Sequence, residues 1–227
     1  MKYLISLLVG MAIGIALFVL VLYYNPFVGN PSVSPLAVSE LDLVDLSYSL
    51  VPSESIVYTN DGESHVMPHP AKVLQLWEPT VKQTRGLVTI LTDSRGQPAG
   101  LGVKFSSDSE QSELINARVL VDSVWHIYLA ERGTFFVDQT ENFWPYLHDI
   151  VVPARLSSGD NWRGTWHRVM SAGPGALGTA RVTGSTGHLS GGEAEAVESV
   201  TARAYSAISG PVAMTGNLTI AFPHDEP

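Results

Sequence analysis

Hydrophobic and polar positions fall into two regimes along this 227-residue chain. The first is an apolar run over residues 3–24, directly after Lys2, in which only Ser6 is clearly polar. A run of about twenty apolar residues matches the hydrocarbon thickness of a bilayer, so the pattern predicts a transmembrane helix over 1–24. Pro26, Pro31 and Pro35, with Gly and Ser between them, then read as a spacer over 25–39 that lifts the rest of the chain off the membrane. From 40 to 227 the texture is that of one β domain.

Its strands show as period-two alternation between turn signals. Residues 87–92 (LVTILT) form an apolar run, and Asp93-Ser94-Arg95-Gly96 reads as the turn into 100–105. Residues 119–121 are a short apolar piece. Over 124–130, Trp125, Ile127 and Leu129 share one face and His126, Tyr128 and Ala130 the other. Further strands are expected at 134–138, 163–170, 178–184 and 217–222, the last with Leu218, Ile220 and Phe222 on one face. Many short strands with turns between them predict an all-β fold, an antiparallel barrel or alternatively a β-sandwich. The aromatic stretch 142–150 reads as a helical turn across one end of the domain. Residues 193–208 fit two periods. Their Ala and Glu content favours helix, whereas a strand would place Ala194, Ala196, Val200 and Ala202 on one face.

The apolar run lacks the small-residue cleavage site of a signal peptide. It ends on Tyr23 and Tyr24, so it reads as an uncleaved signal-anchor. Lys2 precedes it and the first charges after it are Glu40, Asp42 and Asp45. The positive-inside rule therefore puts the N-terminus in the cytoplasm and the domain outside, on a single-pass inner-membrane anchor facing the periplasm or the exterior. Gly10 and Gly14 make a small-xxx-small pair that suits close packing of two such helices, beside the simpler reading of a lone tether.

Composition narrows the partners. The formal net charge is −9, which argues against nucleic acid and against close contact with an anionic bilayer surface. The chain has no cysteine, which removes disulfides, thiolate metal sites and cysteine nucleophiles. No phosphate loop, nucleophile elbow or His-Glu-x-x-His is present, and no cofactor is expected.

The stretch 180–198 (ARVTGSTGHLSGGEAEAVE) carries a strand, a glycine-rich turn and a second strand of small residues. It resembles the corresponding segment of the dirigent and allene oxide cyclase-like barrels through Val182, Gly184, Ser185, Thr186, Gly187, Leu189 and Gly191. The resemblance implies an eight-stranded antiparallel barrel, often trimeric, with a cavity for small apolar or phenolic molecules. It also tips the segment after Gly192 towards strand.

Four groups of residues are candidates for chemistry or binding. Glu198, on a strand with Ala196, Val200 and Ala202, would point into an apolar interior, where burial raises a carboxyl pKa and suits it to acid–base work. His126 and His167, beside Trp125 and Trp166, would join it if all three face inward; the plainer reading is a solvated face. His65, Met67 and His69 lie close together as soft ligands of the kind copper takes, but three such groups in a loop are too few for a site, and no metal is expected. The aromatics Trp125, Phe143, Trp144, Tyr146, Trp162 and Trp166 are candidates to line a carbohydrate or apolar-ligand site, or to close the core. The leading expectation is an anchored domain that binds a small apolar molecule or a partner protein, with self-association another option. A cofactor-independent isomerase or cyclase is the second, and a structural component of an envelope assembly the third.

Overall fold

The structure is a computed structural model in which residues 2–24, 41–51, 56–58, 84–130, 132–189 and 194–223 are described. The apolar run forms a helix of 22 residues, α1 (Lys2–Tyr23). At 1.5 Å per residue it is about 33 Å long. Its side chains over 6–21 are exposed, and among the described residues nothing outside the helix backbone comes within 4 Å of a Cβ placed at Gly10 or Gly14. Among the described side chains no helix is long and apolar enough to cross a membrane; the uninterrupted stretch so described in α1 is 6–21. The spacer at 25–39 and the His65, Met67 and His69 group lie outside the described residues.

The strands are β1 (Leu41–Ser49), β2 (Ile56–Tyr58), β3 (Thr84–Thr92), β4 (Pro98–Asp108), β5 (Leu120–Leu129) and β6 (Gly133–Asn142), followed by β7 (Asn161–Val169), β8 (Ser171–Gly173), β9 (Ala180–Thr183), β10 (Ala194–Ser206) and β11 (Gly210–Pro223). Neighbours run β1-β11-β10-β9-β6-β5-β4-β3, and β3 returns to β1 where Ser47 faces Thr92. The ring is a closed, antiparallel, eight-stranded barrel, not a sandwich. Eight strands leave an interior just wide enough for side chains to fill. Leu46, Leu91, Trp125, Ile127, Phe135, Val137, Leu218 and Ile220 occupy it.

Alternation explains most of this register. In β5 the residues Trp125, Ile127 and Leu129 are buried, while His126, Tyr128 and Ala130 face out. Segment 193–208 resolves as strand, because β10 is hydrogen-bonded on both edges, to β11 on one side and to β9 and β7 on the other. Two ladders outweigh the modest helix preference of its alanines and glutamates.

The stretch after β6 is a helical crossover, an α turn (Trp144–Tyr146), a π turn (Leu147–Val151) and an α turn (Val152–Leu156). It covers a second core of Ile150, Trp166, Met170, Val200, Ala202 and Met214, built on β7 and the ends of β10 and β11. Phe143, Tyr146, Trp162 and Tyr205 pack against it.

Candidate functional site

The sequence-based candidate Glu198 sits inside the barrel with 1% of its surface exposed. It shares the inward face of β10 with Ala196, Val200 and Ala202. Around it converge side chains from five other strands: Tyr48 of β1, Lys104 of β4, Trp125 of β5, Gln139 and Glu141 of β6, and Ser171 of β8.

The geometry is that of a small, closed ionic network. Lys104 Nζ donates to Glu198 Oε1 at 2.8 Å and Oε2 at 2.9 Å. The same ammonium lies 2.8 Å from Glu141 Oε2, and it stands 5.3 Å from the Trp125 ring centre. Trp125 Nε1 donates to Glu198 Oε2 at 3.0 Å. The Tyr48 hydroxyl donates to Glu198 Oε1 and Gln139 Nε2 to Oε2. Ser123 Oγ donates to Glu141 Oε2 at 2.8 Å.

Local structure makes room for these groups. Tyr48 faces Gly216 across the β1–β11 ladder, and a Cβ on Gly216 would overlap the Tyr48 ring. Glycine there lets the ring lie flat against the neighbouring strand. A Cβ on Gly102 would meet the Trp125 ring at 2.8 Å, so the same device seats the indole.

Glu198 also marks a seam in the sheet. The far edge of β10 pairs with β9 up to Ala196 and with β7 from Ser199 onward. On β6 the partner changes from β9 at Asp138 to β8 at Thr140. Ser171 bridges the two sides. Its Oγ accepts from the Glu198 backbone N–H at 2.8 Å and donates to Gln139 Oε1 at 3.1 Å. A hydroxyl thereby satisfies a buried N–H that the ladder leaves free.

The two carboxyls are pushed apart. Burial alone would raise Glu198, but the Lys104 charge and the hydrogen bonds from Lys104, Tyr48 and Trp125 outweigh it and hold Glu198 below the usual value. Burial and the Glu198 charge raise Glu141, which Lys104 and Ser123 only partly offset. Burial lowers Lys104, yet the two glutamates more than compensate and leave it raised. Burial, then Glu198 and Glu141, push the Tyr48 phenol well above its ordinary value. Glu198 is therefore the committed anion, Lys104 the committed cation, and Glu141 the carboxyl that holds a proton to higher pH.

The other sequence candidates lie elsewhere. His126 is on the outer face, stacked on Phe136 with ring centres 4.6 Å apart. His167 is exposed on β7, with Nδ1 2.9 Å from Thr201 Oγ1. Neither converges with Glu198, because each occupies an outward position in its alternation. Trp125 belongs to the Glu198 network, apart from the other aromatics. Trp166 is buried in the second core and donates from Nε1 to Asp149 Oδ2 at 2.9 Å. Trp162 and Tyr146 are half-buried against that core, and burial and Tyr205 raise the Tyr146 phenol. Trp144 is half-buried on the crossover, 5.9 Å from the His148 ring. Trp166, Trp162 and Tyr146 belong to this core rather than to a site shared with Trp125, and Trp144 stands beside His148 outside it.

Sequence reasoning missed Lys104, Glu141, Gln139 and Tyr48. Lys104 alternates with outward Leu101, Val103 and Phe105, so its inward position was readable once that apolar face was taken as the outer one. Compared with known proteins, the chain matches no family model, and no curated protein matches it.

Proposed function

We propose that this chain is a membrane-anchored, extracytoplasmic β-barrel that docks a partner protein on its outer wall. The observation that carries this reading is the contrast between the two faces of the barrel. Inside, Glu198, Glu141, Lys104, Tyr48, Trp125, Gln139, Ser123 and Ser171 bond to one another. Outside, Ile90, Leu101 and Tyr128 form one cross-strand row over β3, β4 and β5, and Phe105 pairs with Val124 in another. Phe136 extends the wall onto β6. Each of these six is between 40% and 59% exposed. An apolar wall of this kind on adjacent strands is what protein interfaces use. The anchor rests on the apolar run and its charge asymmetry.

Photo-crosslinking in cells tests the reading. A photoreactive residue at Tyr128 or Phe105 is expected to capture a discrete protein, and one at Thr219, on the opposite strands, is not. Crosslinks that are absent, or equal at all three positions, reject it. A specific adduct with a second copy of the chain identifies self-association as the form of docking.

A second reading starts from two buried carboxyls that share Lys104, Glu141 pushed up by burial and Glu198 held down by Lys104 and its hydrogen bonds: a cofactor-independent isomerase or cyclase acting in the barrel. Native mass spectrometry of the full chain, released from detergent, checks it. A small molecule that is retained by the wild type and lost in Glu198→Gln supports the interior site. A clean mass in both supports the wall.

A further inference from the structure

α1 does not end free. His148 of the crossover places Nε2 3.0 Å from the Tyr23 carbonyl oxygen, and its ring lies 4.3 Å from the Tyr23 ring. The other ring nitrogen faces Asp149 Oδ1 at 2.7 Å, and Asp149 holds Trp166 of the second core. The exit of α1 is thus tied through two side chains to one end of the barrel.

That end has an unusual surface. Leu156, closing the crossover, is 80% exposed, and Ile208, in the turn between β10 and β11, is 85% exposed. The two belong to the same tip, since Ala207 N–H donates to the Asp160 carbonyl at 2.8 Å. Segments 143–168 and 199–216, which build this end, contain four arginines (155, 163, 168 and 203) and two aspartates (149 and 160). All four arginines are exposed, and Asp149 is engaged as described. The tip beyond the barrel rim therefore presents arginines and apolar side chains beside the exit of α1, while the rim behind it carries Asp108, Glu110, Glu113 and Asp122 against Arg85 and Arg118. Tyr23, Tyr24 and Trp144 gather there, and Trp and Tyr favour the interfacial layer of a bilayer.

We propose that this end seats directly on the bilayer that receives α1, with Leu156 and Ile208 in the headgroup layer and Arg155, Arg163 and Arg203 facing anionic lipid. Charge complementarity and continuity with α1 select the membrane as the occupant. The inference rests on the anchor reading of α1, and it replaces the expectation drawn from net charge alone.

The absence of cysteine gives a clean test. Nitroxide labels are attached in three single variants of the full chain, Phe18→Cys, Ile208→Cys and Ile90→Cys. Each is reconstituted in phosphatidylcholine vesicles with and without phosphatidylglycerol, and relaxation by oxygen and by a water-soluble nickel chelate gives depth. The expected result is position 18 in the hydrocarbon, 208 at headgroup depth and 90 in water. Position 18 in lipid with 208 in water overturns the seating and leaves the anchor standing. Position 18 in water overturns both. Replacing Arg155, Arg163 and Arg203 by Gln is expected to abolish the deepening of the 208 label that phosphatidylglycerol causes. A depth that is equal in both lipids from the outset overturns the arginine contacts.

Discussion

Glu198 takes hydrogen bonds from Tyr48, Lys104, Trp125 and Gln139, and one ammonium serves two buried carboxyls. Removing Lys104 leaves those carboxyls facing each other without a counter-charge. Lys104→Met is therefore expected to cost about 3–5 kcal/mol, read by urea unfolding of the full chain in mild detergent. A cost below about 1 kcal/mol, typical of exposed ion pairs, would sink the buried network. The opposite shifts of the two glutamates make a pH prediction with a definite sign. Unfolded glutamates titrate near about 4.3. Glu198, held lower when folded, contributes stability above that pH and loses it as pH falls through its folded value. Glu141, held higher, contributes fully below that pH and loses it as pH rises through its folded value. Glu141→Gln deletes only the second slope. The variant should gain stability relative to the native chain as pH rises from the unfolded glutamate value through the folded value of Glu141. A constant gap between the two chains across that range contradicts the assignment. Of this cluster only Glu198 and Trp125 were legible as site residues. The reason is distance along the chain: Glu198 meets Tyr48, Lys104 and Gln139 across 150, 94 and 59 residues. Local alternation shows which way a side chain points, but not which strand lies opposite.

The strands depend on two small residues at close approaches. Ser171→Ala removes the acceptor for the Glu198 N–H and a donor to Gln139. The expected loss is about 1–3 kcal/mol in the same unfolding measurement. Ser171→Thr keeps the hydroxyl and should recover part of it. Gly216→Ala forces Tyr48 away from β11 and is expected to cost about 1–3 kcal/mol as an overpacked core. It should also alter the near-ultraviolet circular dichroism of the Tyr48–Trp125 pair, whose rings stand 4.9 Å apart. An unchanged spectrum would place Tyr48 elsewhere. Among elements, β3, β4, β5, β6, β7, β9 and β11 were read as strands from apolar runs or alternation between turns, and the crossover as an aromatic stretch that breaks the pattern. β1, β2 and β8 were not read as strands. β8 has only three residues, too few for a period to show. The β10 segment was undecidable by period because its small residues satisfy both spacings, and its two ladder partners decided it.

At the scale of the molecule, the barrel joins a filled ionic interior, an apolar outer wall and an arginine-bearing tip beside α1. Deleting residues 1–24 is expected to move the chain from the membrane pellet to the soluble fraction on ultracentrifugation of cell lysates. Continued sedimentation with vesicles washed in high salt would show that the anchor lies elsewhere. Weak, salt-sensitive binding to phosphatidylglycerol vesicles is the remnant expected of the arginine-bearing end. The chain alone determined that an apolar helix precedes a β domain, that alternating positions face inward and outward, and that no cysteine chemistry operates. Those properties are local, since they follow from side-chain polarity at a spacing of two or from a run of fixed length. Only the tertiary structure decided that the ring closes, that Glu198 shares Lys104 with Glu141, that His126 and His167 face out, and that four arginines of an acidic chain gather at one end. Those facts depend on which strands become neighbours, and pairing across a hundred residues leaves no mark in any short window of sequence.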